Sequence, residues 1–248
     1  MKNNTSIRNQ IIITDNNDNH GLSNLELAAK YSKNEKNFEL FKKLLLENKN
    51  NFCVNKLLND TIMYVDLTSS IDVIELLIKY GANINFKDAC GWTALMNCAF
   101  GNTNSIGTIE FLIENGANVN IKSNMSQTAL IFFMRYSSKK DDPEIIKLLI
   151  RKGSQINHKN RYCETALMNC FDNNSNELIR YDLIKILLDN KADIYIKNYS
   201  NKNILNIIED KIGRNSDIYS LVFNYKNIKN DYLCKYDINL IYKYQCKN

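Results

Sequence analysis

Residues 88–122 open with Asp88-Ala89-Cys90-Gly91-Trp92-Thr93-Ala94-Leu95-Met96 and run on to Phe100. After a short break they resume as Thr108-Ile109-Glu110-Phe111-Leu112-Ile113-Glu114-Asn115 and close in Gly116-Ala117-Asn118-Val119-Asn120. A turn, a short apolar helix, a longer amphipathic helix and a glycine stop follow one another within about 35 residues. The same order returns twice downstream. Thr128-Ala129-Leu130-Ile131 leads to Ile145–Ile150 and Gly153, and Thr165-Ala166-Leu167-Met168 leads to Leu183–Leu188 and Lys191. Upstream, Val73-Ile74-Glu75-Leu76-Leu77-Ile78 followed by Gly81-Ala82-Asn83-Ile84-Asn85 is the back half of a further copy. A fixed period of this length, in which each unit lacks a core of its own, is the mark of stacked repeats.

Composition agrees. The 248 residues hold one proline and eight glycines, too few for the many turns of an all-β sandwich, and helices are the expected state. The longest apolar run, Ala129 to Met134, is far short of the roughly 20 residues that span a bilayer. The N-terminal stretch reaches only Ile11–Ile13 before Asp15, so it holds no signal-peptide core. Seven cysteines without CxxC spacing read as reduced thiols in a cytosol-like compartment, and a cytoplasmic location is expected. The charge of +5 rests on lysine, in a chain with about forty asparagines. Both residues come from A/T-rich codons, so charge alone does not point to nucleic acid.

Within each copy the local chemistry is consistent. Thr93, Thr128 and Thr165 stand where an N-cap belongs. Asp142-Pro143 reads as a cap and first-turn proline. Gly81, Gly116 and Gly153 fall where a helix ends in a left-handed residue. Lys191 takes that place in the next copy, at a cost of about 1 kcal/mol.

The signature Asp88-x-x-Gly91-x-Thr93-Ala94-Leu95, the apolar second helix and the Gly-Ala-Asn-Val-Asn loop together resemble the ankyrin-repeat family, over about 200 of the 248 residues. In composition the chain resembles ankyrin-repeat proteins of giant DNA viruses of amoebae and of A/T-rich protists. The resemblance implies an all-α ankyrin-repeat solenoid of helix-turn-helix units joined by hairpin-like loops. The expected organisation is a mobile tail over residues 1–19, an array of about six repeats over 20–225, and a cap or tail over 226–248. Outer copies are degenerate: Ser23–Ala29 with Phe41–Asn48, then a copy with Asp60-Thr61-Ile62 at the threonine place, and at the far end Asn203-Ile204-Leu205 with a helix around Tyr219–Asn224. The family's Thr-Pro-Leu-His appears here as Thr-Ala-Leu-Met or Thr-Ala-Leu-Ile, so the histidine bond to the adjoining hairpin is lost.

The resemblance also implies a non-catalytic scaffold that binds another protein through hairpin tips and the concave helical face, as a monomer without cofactor or metal. Mapped by position, partner contacts fall on Trp92, Arg161, Tyr162 and Tyr199, residue types that dominate interfaces. Trp92 and Tyr162 have a second reading, as packing between hairpins. Lys87, Lys122, Lys159 and Lys197 each stand six residues before the threonine place, which predicts a basic ladder with one rung per repeat, about 10 Å apart. An alternative makes residues 226–248 an adaptor for a larger complex such as a ubiquitin ligase. Another makes the ladder a nucleic-acid surface, against which scarce arginine counts. Catalytic chemistry has little to build on, with two histidines, His20 and His158, and no GxxxxGK[ST] or GxGxxG loop. Cys98 and Cys170, at equivalent places in two repeats, read as buried thiols in place of alanine. Cys90 and Cys163 fall in turns.

Overall fold

The computed structural model describes residues 28–29, 32, 35–47, 54–64, 71–100, 106–136, 142–171 and 177–227. The expected tail at 1–19, all of the expected segment 226–248 except residues 226 and 227, the connections 137–141 and 172–176, and His20 lie outside the described residues. Among the described residues there is no strand, and the fold is all-α. None of the described helices is long and apolar enough to cross a membrane.

Two compact units are distinguished, Met1–Phe133 and Met134–Asn248. In the first, Ala28 and Ala29 are helical and buried, and α1 (Glu35–Glu47), α2 (Val54–Tyr64), α3 (Ile71–Lys79), α4 (Ala94–Phe100) and α5 (Ile106–Glu114) follow. Helix α2 packs on both α3 and α4, and α4 on α5. Helix α6 (Ala129–Tyr136) carries the boundary. The second unit holds α7 (Asp142–Arg151), α8 (Ala166–Asn169), α9 (Glu177–Asp189), α10 (Ile204–Ile212) and α11 (residues 217–227), with α7 against α9 and α8 against α10.

The two helices of a repeat are built differently. Second helices are amphipathic: α3 buries Val73, Ile74 and Leu77, while α7 buries Ile145, Ile146, Leu148 and Leu149 and turns Glu144, Lys147 and Arg151 outward. The first helices α4, α6 and α8 are instead buried around most or all of their circumference. Residues 94–99 of α4, 129–134 of α6 and all four of α8 are buried. Such a helix is stable only between neighbours, which is why one repeat cannot fold alone.

Helix ends follow the glycine expectation. The Gly81 N–H donates to Ile78 O and the Ala82 N–H to Leu77 O, and the pair recurs at Gly116/Ala117, Gly153/Ser154 and Lys191/Ala192. These are Schellman bonds closing α3, α5, α7 and α9. Lys191 has φ +68°, the left-handed strain expected of a lysine in that place.

Two expectations are corrected. Thr128 and Thr165 form no cap bond, their buried hydroxyls having no partner, and Thr93 Oγ1 accepts only a long 3.4 Å bond from Met96 N–H. Burial, at 1–3% exposure, holds these threonines. Asp60-Thr61-Ile62 lies inside α2 and does not start a helix: Leu57, Leu58 and Ile62 form one buried stripe that extends the helix back to Val54. The helix around Tyr219–Asn224 is present as α11, with Ile218 and Val222 buried.

Candidate interaction surface

Between a second helix and the next first helix the chain makes a tight hairpin turn, built the same way four times. Its first residue is Asp88, Ser123, Asn160 or Asn198, and one side-chain oxygen accepts two backbone N–H bonds. Asp88 Oδ1 takes Cys90 N–H at 2.9 Å and Trp92 N–H at 2.8 Å. Asn160 Oδ1 takes Tyr162 and Glu164, Asn198 Oδ1 takes Ser200 and Lys202, and Ser123 Oγ takes Met125 and Gln127. The backbone of that first residue also exchanges bonds with the fourth and fifth: Asp88 N–H to Trp92 O, and Gly91 N–H to Asp88 O, both 2.9 Å. The fourth residue is left-handed in every case, at Gly91, Ser126, Cys163 and Asn201. Short polar side chains at the first position and a tolerant residue at the fourth are what such a turn requires. The second and third residues are left to form the tip.

Adjacent tips are joined within each unit. In the first, Asn124 N–H donates to Cys90 O at 3.1 Å and Asn124 Nδ2 to Ala89 O at 2.8 Å. The hairpins approach so closely here that a Cβ on Gly91 would stand 2.5 Å from Asn124 Oδ1 and 2.7 Å from Asn124 N. In the second unit, Tyr199 N–H donates to Tyr162 O at 3.1 Å. Tyr199 takes the turn position of Asn124, yet its ring projects outward, 75% exposed. Tyr162 is 48% exposed, and Arg161 beside it is exposed.

The expected contact residues therefore part company. Trp92 is half-buried and sets its ring edge-on to Phe132, centroids 5.0 Å apart at 79°, and its carbonyl accepts from Asn59 Nδ2. Its packing serves the stacking of the first unit. Lys87, Lys122, Lys159 and Lys197 are all exposed, each immediately before the first residue of its turn.

Two features were not read from the sequence. Tyr195 is 44% exposed on the approach to the last hairpin; the alternation of buried Ile194 and exposed Tyr195 was its signal. Asparagines also clasp one repeat to the next. Asn85 Oδ1 accepts from Asn118 N–H at 2.8 Å while Asn85 Nδ2 donates to Gly116 O at 3.0 Å, and Asn157 does the same with Asp193 N–H and Lys191 O. Asparagine recurring four residues after the helix-stop position was the sign available.

The cysteines are framework or surface thiols. Cys98 and Cys170 are buried; desolvation pushes the Cys98 thiol up to about 12, and Cys170 Sγ donates to Leu167 O at 3.1 Å. Cys90 is exposed and Cys163 half-buried. Among the described residues no His, Cys, Asp or Glu cluster is arranged to hold a metal ion.

Stacked helix pairs closed by these hairpins define the class, and comparison with known families agrees: a family model for ankyrin repeats matches residues 25–123 and 103–198. The chain belongs to the ankyrin-repeat family. Among individual proteins it is similar to the putative ankyrin repeat protein R664 of Acanthamoeba polyphaga mimivirus, with 26% identity over 159 residues, 64% of this chain and 74% of that protein.

Proposed function

We propose that this chain is a recognition module that binds another protein through its hairpin tips and performs no chemistry of its own. The observation that carries the reading is the pair of joined turns on which Tyr162 and Tyr199 stand exposed beside Arg161. Aromatic side chains held on a rigid backbone lose little entropy on binding, and aromatic and arginine residues dominate interface energetics. Lys159 and Lys197 flank them and supply steering of an oppositely charged partner. Residues 94–99 of α4, 129–134 of α6 and all of α8 are buried, so the reading leans on the hairpins and not on the concave helical face. A reducing, cytoplasmic setting belongs to the proposal, supported by Cys90, Cys98, Cys163 and Cys170 being thiols and not disulfides.

The test is a variant carrying Tyr162→Ala and Tyr199→Ala, compared with the parent in partner capture, circular dichroism and melting. Loss of capture with unchanged helicity and Tm is the expected result. Equal capture, or a melting drop above about 5 °C, assigns these tyrosines to the framework and refutes the reading.

A further inference from the structure

The hairpins of the two units differ in charge as well as in tip chemistry. Over residues 79–92 and 114–127 the first unit carries three cations and two carboxylates. The equivalent stretches of the second unit, 151–164 and 189–202, carry seven cations and three carboxylates. All seven of these cations are exposed. Lys202 is committed to Asp210 at 2.6 Å, but Lys159, Arg161 and Lys197 make no ion pair among the described residues. The three exposed tyrosines, Tyr162, Tyr195 and Tyr199, lie in the same stretches, whereas the aromatics of the first unit's stretches, Tyr80, Phe86 and Trp92, are half-buried.

We propose that the hairpin face of the second unit alone is the docking site, and that its occupant is an extended, acidic segment of a partner protein. This rests on the recognition function proposed above. The charge excess favours an anionic ligand, and the exposed tyrosine rings offer faces and hydroxyls to apolar and carbonyl groups of a polypeptide. Neighbouring hairpins of stacked helices repeat about every 10 Å. An extended chain advances about 3.3 Å per residue, so carboxylates about three residues apart meet Lys159 with Arg161 on one hairpin and Lys197 on the next. Five of the seven cations are lysines, point charges suited to carboxylates, whereas the planar fork that reads base edges is present only at Arg151 and Arg161.

The experiment is selection of a random 12-residue phage-displayed peptide library on the full chain, with the best peptide then measured by fluorescence anisotropy beside a 20-nucleotide oligo(dT). Two variants are compared: one with Lys159→Glu, Arg161→Glu and Lys197→Glu, the other with the same change in charge placed on helices, Lys79→Glu, Lys185→Glu and Lys211→Glu. Expected are peptides enriched in Asp and Glu at a spacing of about three. Their binding weakens by more than about tenfold in the hairpin variant and less than about twofold in the helix variant, and by about tenfold on raising salt to 0.5 M. Binders without acidic enrichment that the Tyr162→Ala/Tyr199→Ala variant loses leave the hairpin site standing and overturn the acidic partner. Acidic peptides held equally by the hairpin variant overturn the location. No binders, or tighter binding of oligo(dT), overturns the proposal itself.

Discussion

Gly91→Ala sets the close approach of two hairpins against simple backbone strain. Gly91 has φ +75° and Gly116 has φ +95°, so alanine at either incurs the left-handed penalty of about 1–2 kcal/mol, partly offset by about 0.4–1 kcal/mol from a stiffer unfolded chain. At Gly116 the new methyl group meets nothing within 4 Å. At Gly91 it would stand 2.5 Å from Asn124 Oδ1 and 2.7 Å from Asn124 N. The side-chain oxygen can swing away, but the backbone nitrogen cannot without moving the next hairpin. That movement breaks the Asn124 bonds to Cys90 O and Ala89 O, each contributing about 1 kcal/mol. Gly91→Ala should therefore cost about 3 kcal/mol and Gly116→Ala about 1 kcal/mol. Urea unfolding followed by circular dichroism measures both, and the single tryptophan, Trp92, reports on the hairpin next door by fluorescence. Equal costs for the two variants would refute the reasoning, because only the contact with Asn124 separates them.

Four further outcomes follow from the same structure. Lys191→Gly should stabilise by about 1 kcal/mol in the same urea assay, since it removes a lysine from φ +68°; no gain would mean that lysine is not strained there. Asn97 is fully buried with neither amide atom bonded, so Asn97→Leu should raise the unfolding free energy by about 1–2 kcal/mol where most buried substitutions lower it; a loss would point to an internal water. The Cys98 thiol is held neutral by burial, with its pKa pushed from 9.0 to about 12, so the folded state binds that proton more tightly than the unfolded chain. Its contribution is complete below pH 9 and lost as pH rises from 9 to 12, and Cys98→Ala should flatten that part of the stability profile. Alkylation at pH 8 read by mass spectrometry should label Cys90 and spare Cys98 and Cys170 until urea is added.

The second helices and their stops were open to reading, because a one-sided stripe such as Val73, Ile74 and Leu77 before Gly81 declares itself within ten residues. The strain at Lys191 followed from register alone. The caps failed because a threonine before an apolar helix looks the same whether its hydroxyl bonds or is buried, as at Thr165. The start of α2 failed because Asp60-Thr61-Ile62 imitates a motif that Leu57 and Leu58 override by packing. The asparagine clasps join residues 31–36 positions apart and become visible only when repeats are laid on one another. For the expected contact residues, type was legible and environment was not: Trp92 and Tyr162 look alike as anchors in sequence, but Phe132 lies against one and solvent against the other.

Each turn places its structural duties on its first and fourth residues, and that division governs how this protein can change. The second and third positions bear side chains whose identity the turn does not constrain; Arg161-Tyr162 and Tyr199-Ser200 occupy them without disturbing the bonds beneath. Among the described residues, only where Asn124 reaches back to Ala89 has such a side chain been drawn into holding the array together. Under the recognition function proposed above, specificity in the second unit can thus drift two residues at a time at almost no cost to folding, while the same drift in the first unit loosens the join between hairpins. On that reading one half of the molecule is free to follow a changing partner, and the other is obliged to stay as it is.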